Sequence, residues 1–370
     1  MVEGLNMSRR IRRTPYTDRV EAAGVTGFSV VNHMLLPKAF NRSVEEDYWH
    51  LRKHVQIWDV SCQRQVLIYG PDATELVQLM TPRDISRAKV GDCLYIPIID
   101  DKAGLINDPV LLKLAEDKFW LSVADSDVIL YAKGIAIGRK LQVGVSEPDV
   151  FPLAVQGPKA EDLLIEIFGK QICSIGFFKF SWVDFKGSRQ LIARSGYSRQ
   201  GGFEIYLRGG RLGSSLWDTI WDVGQNYNIR PGCPNLIERI EGGLLSYGNE
   251  MTQENNPLEI GLEKFISLNG SVDYIGREAL ELIAEEGPER LIHGVLIDGP
   301  PGNVCTIPWP VFYKNKKIGQ VTSGIYSPRL EKYVGLALID RGYWTVGLPV
   351  EVAFSSSQCF SGNLSELPFA

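Results

Sequence analysis

The stretch from residue 194 to residue 207 combines a glycine pair, a run of apolar residues and one carboxylate, Glu204. The residues around that carboxylate are bulky or β-branched, which favours a half-buried strand. They are Phe203, Ile205 and Leu207. An ionised carboxylate is costly in apolar surroundings unless hydrogen-bond donors surround it. Its two oxygens suit paired N–H groups, such as those along the edge of a guanidine-like ring, so Glu204 is a candidate ligand-binding residue.

Two interpretations of Glu204 stay open at this level. In the first, the carboxylate accepts hydrogen bonds from a ring edge, of which a pterin is one example. In the second, Glu204 is an ordinary outward-facing residue of an alternating strand. The local pattern does not decide between them.

The composition limits the classes of partner. A chain of 370 residues exceeds the usual size of one domain, so two or three domains are expected. A net charge of −5 gives no basic footprint for nucleic acid, and the cluster Arg9, Arg10, Arg12 and Arg13 is interpreted as a solvated segment rather than a targeting arm. Without a signal-peptide pattern or the ~18 to 20 apolar residues of a membrane span, we expect a cytoplasmic protein without a membrane partner.

Neither the cysteines nor the histidines predict a metal site. The six cysteines occur without C-x-x-C spacing, which favours reduced core thiols over zinc ligands or disulfides. His50 and His54 are one helical turn apart, but no H-E-x-x-H pattern accompanies them. We therefore expect no metal.

The elements that must position Glu204 repeat one pattern. Ser43, with Glu46 three residues later, predicts a capped helix over residues 43–56. A strand over 64–69 is followed by a Gly-Pro turn and a helix over 73–80. A strand over 151–156, a Gly-Pro turn and a helix over 159–168 repeat that order, which indicates an internal α+β duplication.

The remaining segments give mixed strands and helices. Residues 94–99 and 110–114 bracket a turn and predict a hairpin. A strand over 119–123 and a helix over 125–138 follow, without the regular alternation of a doubly wound fold. From about residue 293 short strands with many glycines and prolines are typical of a small β-barrel or sandwich. No phosphate-binding glycine motif occurs.

Four segments, taken in order, resemble the glycine-cleavage T-protein family of tetrahydrofolate-dependent aminomethyltransferases. They are residues 95–109, 154–158, 194–207 and 238–250. Further agreement comes from residues 58–61, 256–262 and 322–324, so the resemblance covers nearly the whole chain. It implies an α+β, three-domain arrangement around a central folate cleft. The implied domains are residues 1–150 and 151–292, the two halves of the folate-binding core, and a β-rich domain at 293–370.

Within that family the likeness is greatest to demethylases of dimethylsulfoniopropionate, through residues 32–37, 58–60, 124–127 and 232–235. It implies transfer of a methyl group from a sulfonium to N5 of tetrahydrofolate, giving methylmercaptopropionate and 5-methyltetrahydrofolate. Two alternatives stay open. One is aminomethyl transfer or demethylation of a methylated amine such as dimethylglycine, and the other is folate binding without turnover.

Two departures from the aminomethyltransferase pattern favour the sulfonium. Asn107 precedes Asp108 where those enzymes carry two aspartates, and Cys62 stands where they carry a histidine. Aminomethyl chemistry needs groups that manage amine protonation, so the loss of one acid argues against it. A sulfonium is already activated, and an in-line displacement requires mainly positioning. Val31, where related demethylases often carry tyrosine, leaves one wall of the substrate pocket undefined.

The resemblance implies roles for individual residues. The implied folate-binding residues are Tyr95, Ser122, Tyr197, Glu204 and Tyr206, and the implied substrate-binding residues are Asn32, His33, Phe178 and Trp182. Asp108 is expected near N5 as the catalytic residue, with a turn cap before Pro109 as the alternative. Aromatic faces can hold an onium ion, which is the reason for Phe178 and Trp182.

Two further expectations concern arginines and partners. Arg194 and Arg239 could pair with Glu241 or contact the folate tail, and a structural ion pair is expected for each rather than a ligand contact. The expected ligands are a small sulfonium zwitterion and tetrahydrofolate. Nothing in the sequence decides the oligomeric state, and a homodimer stays open.

Overall fold

The computed structural model describes residues 8, 10–124, 127–268, 270 and 272–369. Arg9 of the basic cluster and residues 125 and 126, at the start of one predicted helix, lie outside this part. The chain forms two compact units. The first holds the residues up to Val77, Ser86–Tyr95 and Pro109–Asn235, and the second holds Gln78–Ile85, Ile96–Asp108 and the residues from Leu236 onwards.

The helices and strands follow in chain order. The α-helices are α1 (Thr17–Ala22), α2 (Val44–Lys53), α3 (Ala73–Met80), α4 (Val128–Arg139), α5 (Ala160–Phe168), α6 (Gly213–Gly224), α7 (Leu236–Glu241) and α8 (Arg277–Glu286). The strands up to the middle of the chain are β1 (Val25–Val31), β2 (Met34–Phe40), β3 (Val55–Asp59), β4 (Arg64–Tyr69), β5 (Cys93–Tyr95), β6 (Ile98–Ile99), β7 (Leu105–Asn107), β8 (Val110–Ala115), β9 (Lys118–Val123), β10 (Gly144–Ser146) and β11 (Val150–Gln156). The remaining strands are β12 (Phe180–Phe185), β13 (Ser188–Ala193), β14 (Gly202–Arg208), β15 (Ile229–Gly232), β16 (Arg290–Ile297), β17 (Trp309–Tyr313), β18 (Lys316–Ser327), β19 (Lys332–Asp340), β20 (Pro349–Ser355) and β21 (Gln358–Ser365).

Two larger sheets build the first unit. Among the described residues, one has the strand order β10-β4-β9-β8-β5 and the other the order β12-β13-β14-β11-β3-β15. One face of the second sheet packs on helices α5 and α6 through a large apolar cluster that includes Phe203 and Ile205. On its other face, Tyr206 and Leu191 pack with Trp120 of the first sheet. Strand β14 is therefore covered on both sides, and the expectation of a half-buried strand is wrong.

The predicted elements of this unit agree closely with the structure. Strand β4 and helix α3 have the predicted bounds, and the side chain of Ser43 caps α2 by accepting a hydrogen bond from Glu46 N at 3.0 Å. Helix α2 ends at Lys53 rather than at residue 56 because the chain enters strand β3 at Val55. Short elements beside a turn leave little sequence signal for such a boundary.

The predicted hairpin forms as two separate ladders. In the first unit β5 pairs with β8, and in the second unit β6 pairs with β7. The pairing is interrupted at Ile96 and Pro97, where proline has no N–H group to give to a ladder. The hairpin turn at residues 100–104 thus belongs to the second unit.

The second unit contains a closed barrel. Its strand order is β16-β19-β18-β17-β20-β21, and its interior is filled by apolar side chains such as Val295, Trp309 and Val352. This confirms the predicted α+β class and the C-terminal barrel, and it decides against a sandwich. The division at residues 150 and 292 stays a prediction. Among the described residues, no helix combines the length and the apolar character that crossing a membrane requires.

Candidate active site

Glu204 lies in the interior of the second sheet. It pairs with Ala154 of β11 and with Ala193 of β13, and its side chain is only 6% exposed. Alternation along β14 turns it away from the helix-facing residue Phe203 and onto the same face as Tyr206. The outward-facing interpretation is therefore wrong, because this face is covered by the first sheet.

The glycine pair before Glu204 allows a close backbone approach. Gly202 has a φ of 135°, and a Cβ atom there would lie 2.5 Å from the carbonyl oxygen of Val155 and 2.8 Å from the Cα atom of Gln156. Any larger residue would push β14 away from β11. Gly202 thus allows β14 to lie close to β11, which fixes the position of Glu204 two residues later.

Hydrogen bonding partly compensates for the burial of Glu204. Burial raises the pKa of this carboxyl group, and a hydrogen bond from the hydroxyl of Ser195 lowers it again. The net direction is upward, because desolvation of the charged form outweighs one donor. Such a carboxylate gains from any further donor that reaches it.

Polar groups of the first sheet line the same compartment. Val110 of β8 pairs with Tyr95 on one side and with Ser122 on the other, so these side chains share one level of the sheet. Gln65 pairs with Ser122 and donates to its hydroxyl at 2.9 Å. Cys93 lies two residues before Tyr95 on the same face.

Electrostatic effects connect the two sheets. Burial raises the pKa of Tyr206 well above its usual value, the nearby Glu204 raises it further, and an interaction with Ser122 lowers it. Burial likewise raises the pKa of the Cys93 thiol, with Glu204 adding to the effect. The structure therefore brings Glu204, Tyr206 and Ser122 together, as predicted for a shared site, and adds Cys93.

Phe178 lies at the edge of this compartment in a strained conformation. Its φ is 55°, which is uncommon for a bulky residue. Its N–H donates to the carbonyl oxygen of Arg194 at 3.0 Å, and its own carbonyl accepts from Cys93 N at 2.9 Å. The segment thus connects the two sheets beside Glu204. Backbone strain of this kind clusters at functional sites, so the conformation of Phe178 is consistent with a position at the edge of one.

Trp182 lies elsewhere. Trp182 pairs with Leu191, which in turn pairs with Tyr206. Its cross-strand row is therefore that of Tyr206, which lies two residues after Glu204 on β14. Trp182 lines a cavity of about 670 Å³ whose other walls include Trp120 and Arg208. The guanidinium of Arg208 lies 5.4 Å from the centre of its ring. Trp182 is therefore not brought together with Glu204, because it lies on β12, two strands from β14, at the level of Tyr206 rather than of Glu204.

Asn32 and His33 form the two-residue turn between β1 and β2, with φ values of 51° and 60°. The amide nitrogen of Asn32 donates to three backbone carbonyls, those of Cys62 at 2.9 Å, Val123 at 3.2 Å and Ala124 at 2.7 Å. Its two N–H groups are thus committed to the fold, which argues against the predicted role as donor to a substrate carboxylate. The exposed side chain of His33 stays a candidate.

Tyr197 and Asp108 complete the predicted set. Tyr197 is half-buried in the loop between β13 and β14, the loop that carries Ser195. Asp108 follows β7 in the second unit, directly before Pro109 of the first unit. Its role stays a prediction.

The arginines form ion pairs, but not the expected ones. Arg194 pairs with Glu161, and Arg239 pairs with Glu250 at 3.1 Å. Glu241 pairs instead with Arg329 at 3.0 Å. The expectation that Glu241 would be the partner of Arg194 or Arg239 is wrong.

The histidine pair has a structural environment. Burial lowers the pKa of His50 to about 4, and its Nε2 atom lies 2.9 Å from the carbonyl oxygen of Asn228. Within the described residues, no group of three or more histidine, cysteine or acidic side chains is arranged to hold a metal. The cysteines are free thiols, although Cys173 and Cys359 are exposed rather than in the core as predicted.

Three residues beside Glu204 or beside Ser122 were not predicted as site residues. They are Ser195, Gln65 and Cys93. Ser195 belongs to the stretch that singled out Glu204, and Cys93 is two residues from Tyr95 on one strand, so spacing offered a signal for both. Gln65 reaches the site only through the pairing of β4 with β9, which local sequence does not reveal.

Comparison with known proteins agrees with this architecture. Residues 16–270 match the family model described as the GCVT N-terminal domain, and residues 290–370 match the glycine cleavage T-protein C-terminal barrel domain. The chain is 49% identical to a dimethylsulfoniopropionate demethylase, DmdA, of Ruegeria pomeroyi, over 93% of this chain and 94% of that protein. It is 33% identical to an aminomethyltransferase of Natranaerobius thermophilus, over 86% and 87% of the two chains.

A solved structure has the same fold. The glycine cleavage system aminomethyltransferase T from Bartonella henselae superposes with a TM-score of 0.87 at 24% identity, over 97% of this chain and 98% of that one. The two family models together match residues 16–270 and 290–370, and the closed barrel lies within the second of these ranges. The chain belongs to the glycine cleavage T-protein family.

Proposed function

We propose that this protein is a tetrahydrofolate-dependent demethylase. It transfers one methyl group from dimethylsulfoniopropionate to N5 of tetrahydrofolate and releases methylmercaptopropionate and 5-methyltetrahydrofolate. The observation that carries the proposal is the 49% identity to a dimethylsulfoniopropionate demethylase along 93% of the chain. The buried carboxylate of Glu204 supports it independently, because it offers an acceptor of the kind that a pterin edge requires.

The polar groups of the first unit fit a folate ring. Glu204 is a buried acceptor beside the hydroxyl of Ser195, and Ser122 and Tyr206 lie next to it. Within the described residues, Oε1 of Gln65 is buried without a hydrogen-bond partner, so a ring N–H would find a second acceptor near Ser122. Tetrahydrofolate would supply the N5 nucleophile. The chain would supply acceptors that hold its ring, from Glu204 with Tyr95, Ser122, Tyr197 and Tyr206.

The donor side needs little acid or base chemistry. The positive charge on sulfur makes the methyl group electrophilic, and the leaving group is a neutral thioether. As the new N–CH₃ bond forms and the S–CH₃ bond breaks, the positive charge moves from sulfur to N5, which then loses its proton. Asp108 is the proposed acceptor of that proton, and Phe178 is a proposed aromatic wall for the sulfonium. His33 is the proposed contact for the substrate carboxylate.

A second function within the same family is transfer from an amine, as in the aminomethyltransferases or with dimethylglycine as donor. It is favoured only by the relatives that are about one third identical. A donor comparison distinguishes the two. Purified protein is incubated anaerobically with tetrahydrofolate and equal concentrations of dimethylsulfoniopropionate and dimethylglycine. We expect methylmercaptopropionate alone, and preferential loss of dimethylglycine would support the second function.

The role of Asp108 has its own test. Asp108→Asn removes the proton acceptor but keeps the size of the side chain and its capacity to cap a turn. We expect kcat to fall by at least tenfold with little change in KM. Unchanged kcat and KM in Asp108→Asn, with a lower unfolding midpoint in Asp108→Ala, would instead indicate the turn cap before Pro109.

The cellular setting is also a proposal. We propose a cytoplasmic enzyme whose partners are two small molecules, without nucleic acid or a membrane, and a homodimer is the oligomeric state to test. We also propose the domain division at residues 150 and 292. Light scattering on the purified protein gives the molar mass directly. A monomer mass would exclude the homodimer.

A further inference from the structure

We infer that Ser195 is a positioning residue, which holds the Glu204 carboxylate in the orientation that binds the methyl acceptor. The inference deepens the proposed function and rests on it. Three features of the first unit carry the inference: the donor geometry, the fixation of the loop and the charge around Glu204.

The geometry leaves one oxygen of Glu204 for a ligand. Ser195 is 5% exposed, and its hydroxyl donates to Oε2 of Glu204. Ser195 follows two residues after Ala193, which pairs with Glu204, so this bond joins the end of β13 to β14. A serine hydroxyl has one proton to give, and giving it to Oε2 fixes the plane of the carboxylate. A carboxylate without this bond would be free to rotate about its last torsion.

A buried amide holds Ser195 in place. Gln156 is 1% exposed, and its Nε2 atom donates to the carbonyl oxygens of Ser195 at 3.2 Å and Phe203 at 3.3 Å. Its Oε1 atom accepts from the hydroxyl of Ser198 at 2.8 Å. One side chain thus ties both ends of the loop that precedes Glu204. The position of the Ser195 hydroxyl is therefore set by the fold before any ligand arrives.

Among the residues that the structure describes, none brings to Glu204 a positive charge that would replace this donor. The neighbours of Glu204 on β11 and β13 are alanines, and Tyr206 on its own strand and Cys93 on β5 are neutral groups whose pKa values are raised by burial. The ion pair of Asp92 and Lys179 lies beside Cys93. Since the bond from Ser195 lowers the pKa of Glu204, its loss raises that pKa, and Glu204 then becomes protonated at a higher pH.

The test compares Ser195→Ala, Ser195→Thr and the loop control Ser198→Ala. Ser198 belongs to the same loop but donates to Gln156 rather than to Glu204. The dissociation constant for tetrahydrofolate is measured anaerobically by calorimetry from pH 5 to pH 9. For Ser195→Ala we expect binding about tenfold weaker at pH 8 and a midpoint of acid loss at a higher pH than in the wild type. Ser195→Thr should restore most of both, and Ser198→Ala should leave the midpoint unchanged.

The outcomes distinguish a failure of the positioning role of Ser195 from a failure of the proposed function. Wild-type affinity and an unshifted midpoint in Ser195→Ala would overturn the positioning role. Weaker binding with an unshifted midpoint, or the same shift in Ser198→Ala, would also overturn it, since either indicates general loosening of the loop. A wild-type protein that does not bind tetrahydrofolate would instead contradict the proposed function, and the inference with it.

Discussion

At the scale of single residues, two buried carboxylates of the first unit have raised pKa values for the same reason. Glu204 and Asp59 are 6% and 3% exposed, and desolvation outweighs the hydrogen bonds that each receives. Both therefore reduce stability when they ionise. They differ in surroundings, because Asp59 accepts hydrogen bonds from Thr14 and Ser61, whereas among the described residues the side-chain hydrogen bond to Glu204 comes from Ser195 and reaches Oε2.

Glu204→Gln should separate stability from binding. The amide keeps the size of the side chain and can still accept from Ser195, but it carries no charge. We expect affinity for tetrahydrofolate to fall by about 1 to 3 kcal/mol, measured by titration calorimetry, while the free energy of unfolding at pH 7 stays the same or rises. Glu204→Ala is the harsher control and should also lose affinity. An unchanged dissociation constant in both variants would remove Glu204 from the site.

Asp59→Asn should stabilise the protein at neutral pH. The pKa of Asp59 is raised to about 6, so its ionisation above that pH opposes folding. Asp59 contributes its full stabilising free energy below the pKa of about 3.9 that it has in the unfolded chain. That contribution is lost as the pH rises through the folded-state pKa of about 6. The asparagine can keep both neighbours, by accepting from Ser61 N and donating to Thr14. We expect a gain of up to about 3 kcal/mol in urea unfolding at pH 7.5 and much less at pH 4. An equal gain at both pH values would contradict this explanation.

The sequence predicted single site residues best where a residue differs in polarity from its neighbours in the chain. Glu204 stood out because it is one charge in an apolar run, and that contrast reflects its burial in a covered sheet. The roles of Trp182 and Asn32 are implied by the resemblance alone. The position of Trp182 in the sheet and the hydrogen bonds of Asn32 depend on contacts that only the folded chain makes. Trp182 lines the cavity beside Trp120 and Arg208, and the amide of Asn32 donates hydrogen bonds to three backbone carbonyls.

At the scale of elements, the close approach of β14 to β11 decides where Glu204 lies. Gly202 is the contact point, with no room for a Cβ atom between the two strands. The sequence predicted strands and helices well where a whole period of apolar residues marks them, as in β4 and α3. It did not predict that the hairpin of residues 94–114 splits into two ladders, because strand partners are chosen by contacts distant in the chain.

Gly202→Ala tests this contact. The added methyl group would lie 2.5 Å from the Val155 carbonyl oxygen, at a φ of 135° that alanine rarely adopts. We expect the free energy of unfolding to fall by about 2 to 4 kcal/mol, together with weaker folate binding. The matched control is Gly134→Ala in helix α4, where a Cβ atom meets nothing within 4 Å. That change should stabilise by about 1 kcal/mol. Similar effects of the two substitutions would refute the role of the strand contact.

At the scale of the whole molecule, each unit has its own core and its own buried polar cluster. In the second unit, Arg239 of α7 donates to Glu250 at 3.1 Å and to the hydroxyl of Ser323 in β18 at 2.6 Å. Ser323 in turn donates to Glu250. Arg239 and Glu250 have side-chain exposures of 7% and 0%. This cluster connects helix α7 to the barrel, and the resemblance at residues 238–250 and 322–324 is therefore explained by packing.

Glu250→Ala should destabilise the second unit strongly. It leaves the Arg239 guanidinium buried without its charge partner, which typically costs about 3 to 5 kcal/mol. The matched control is Glu289→Ala, which breaks the ion pair with Arg341. The side chain of Glu289 is 82% exposed. That pair should contribute less than about 1 kcal/mol. Denaturant unfolding of both variants, followed by circular dichroism, measures the difference. Equal losses would show that burial of the pair has no consequence for stability.

The central claim is methyl transfer from dimethylsulfoniopropionate to N5 of tetrahydrofolate, and isotope tracing tests it directly. The purified protein is incubated anaerobically with tetrahydrofolate and dimethylsulfoniopropionate carrying ¹³C in both S-methyl groups, and the products are followed by NMR. We predict one ¹³C-methyl signal at N5 of 5-methyltetrahydrofolate for each ¹³C-methyl thioether formed, and slower labelling with Glu204→Ala at folate concentrations that saturate the wild type only. Release of the thioether without label on the folate, or no turnover by the wild type, would contradict the account.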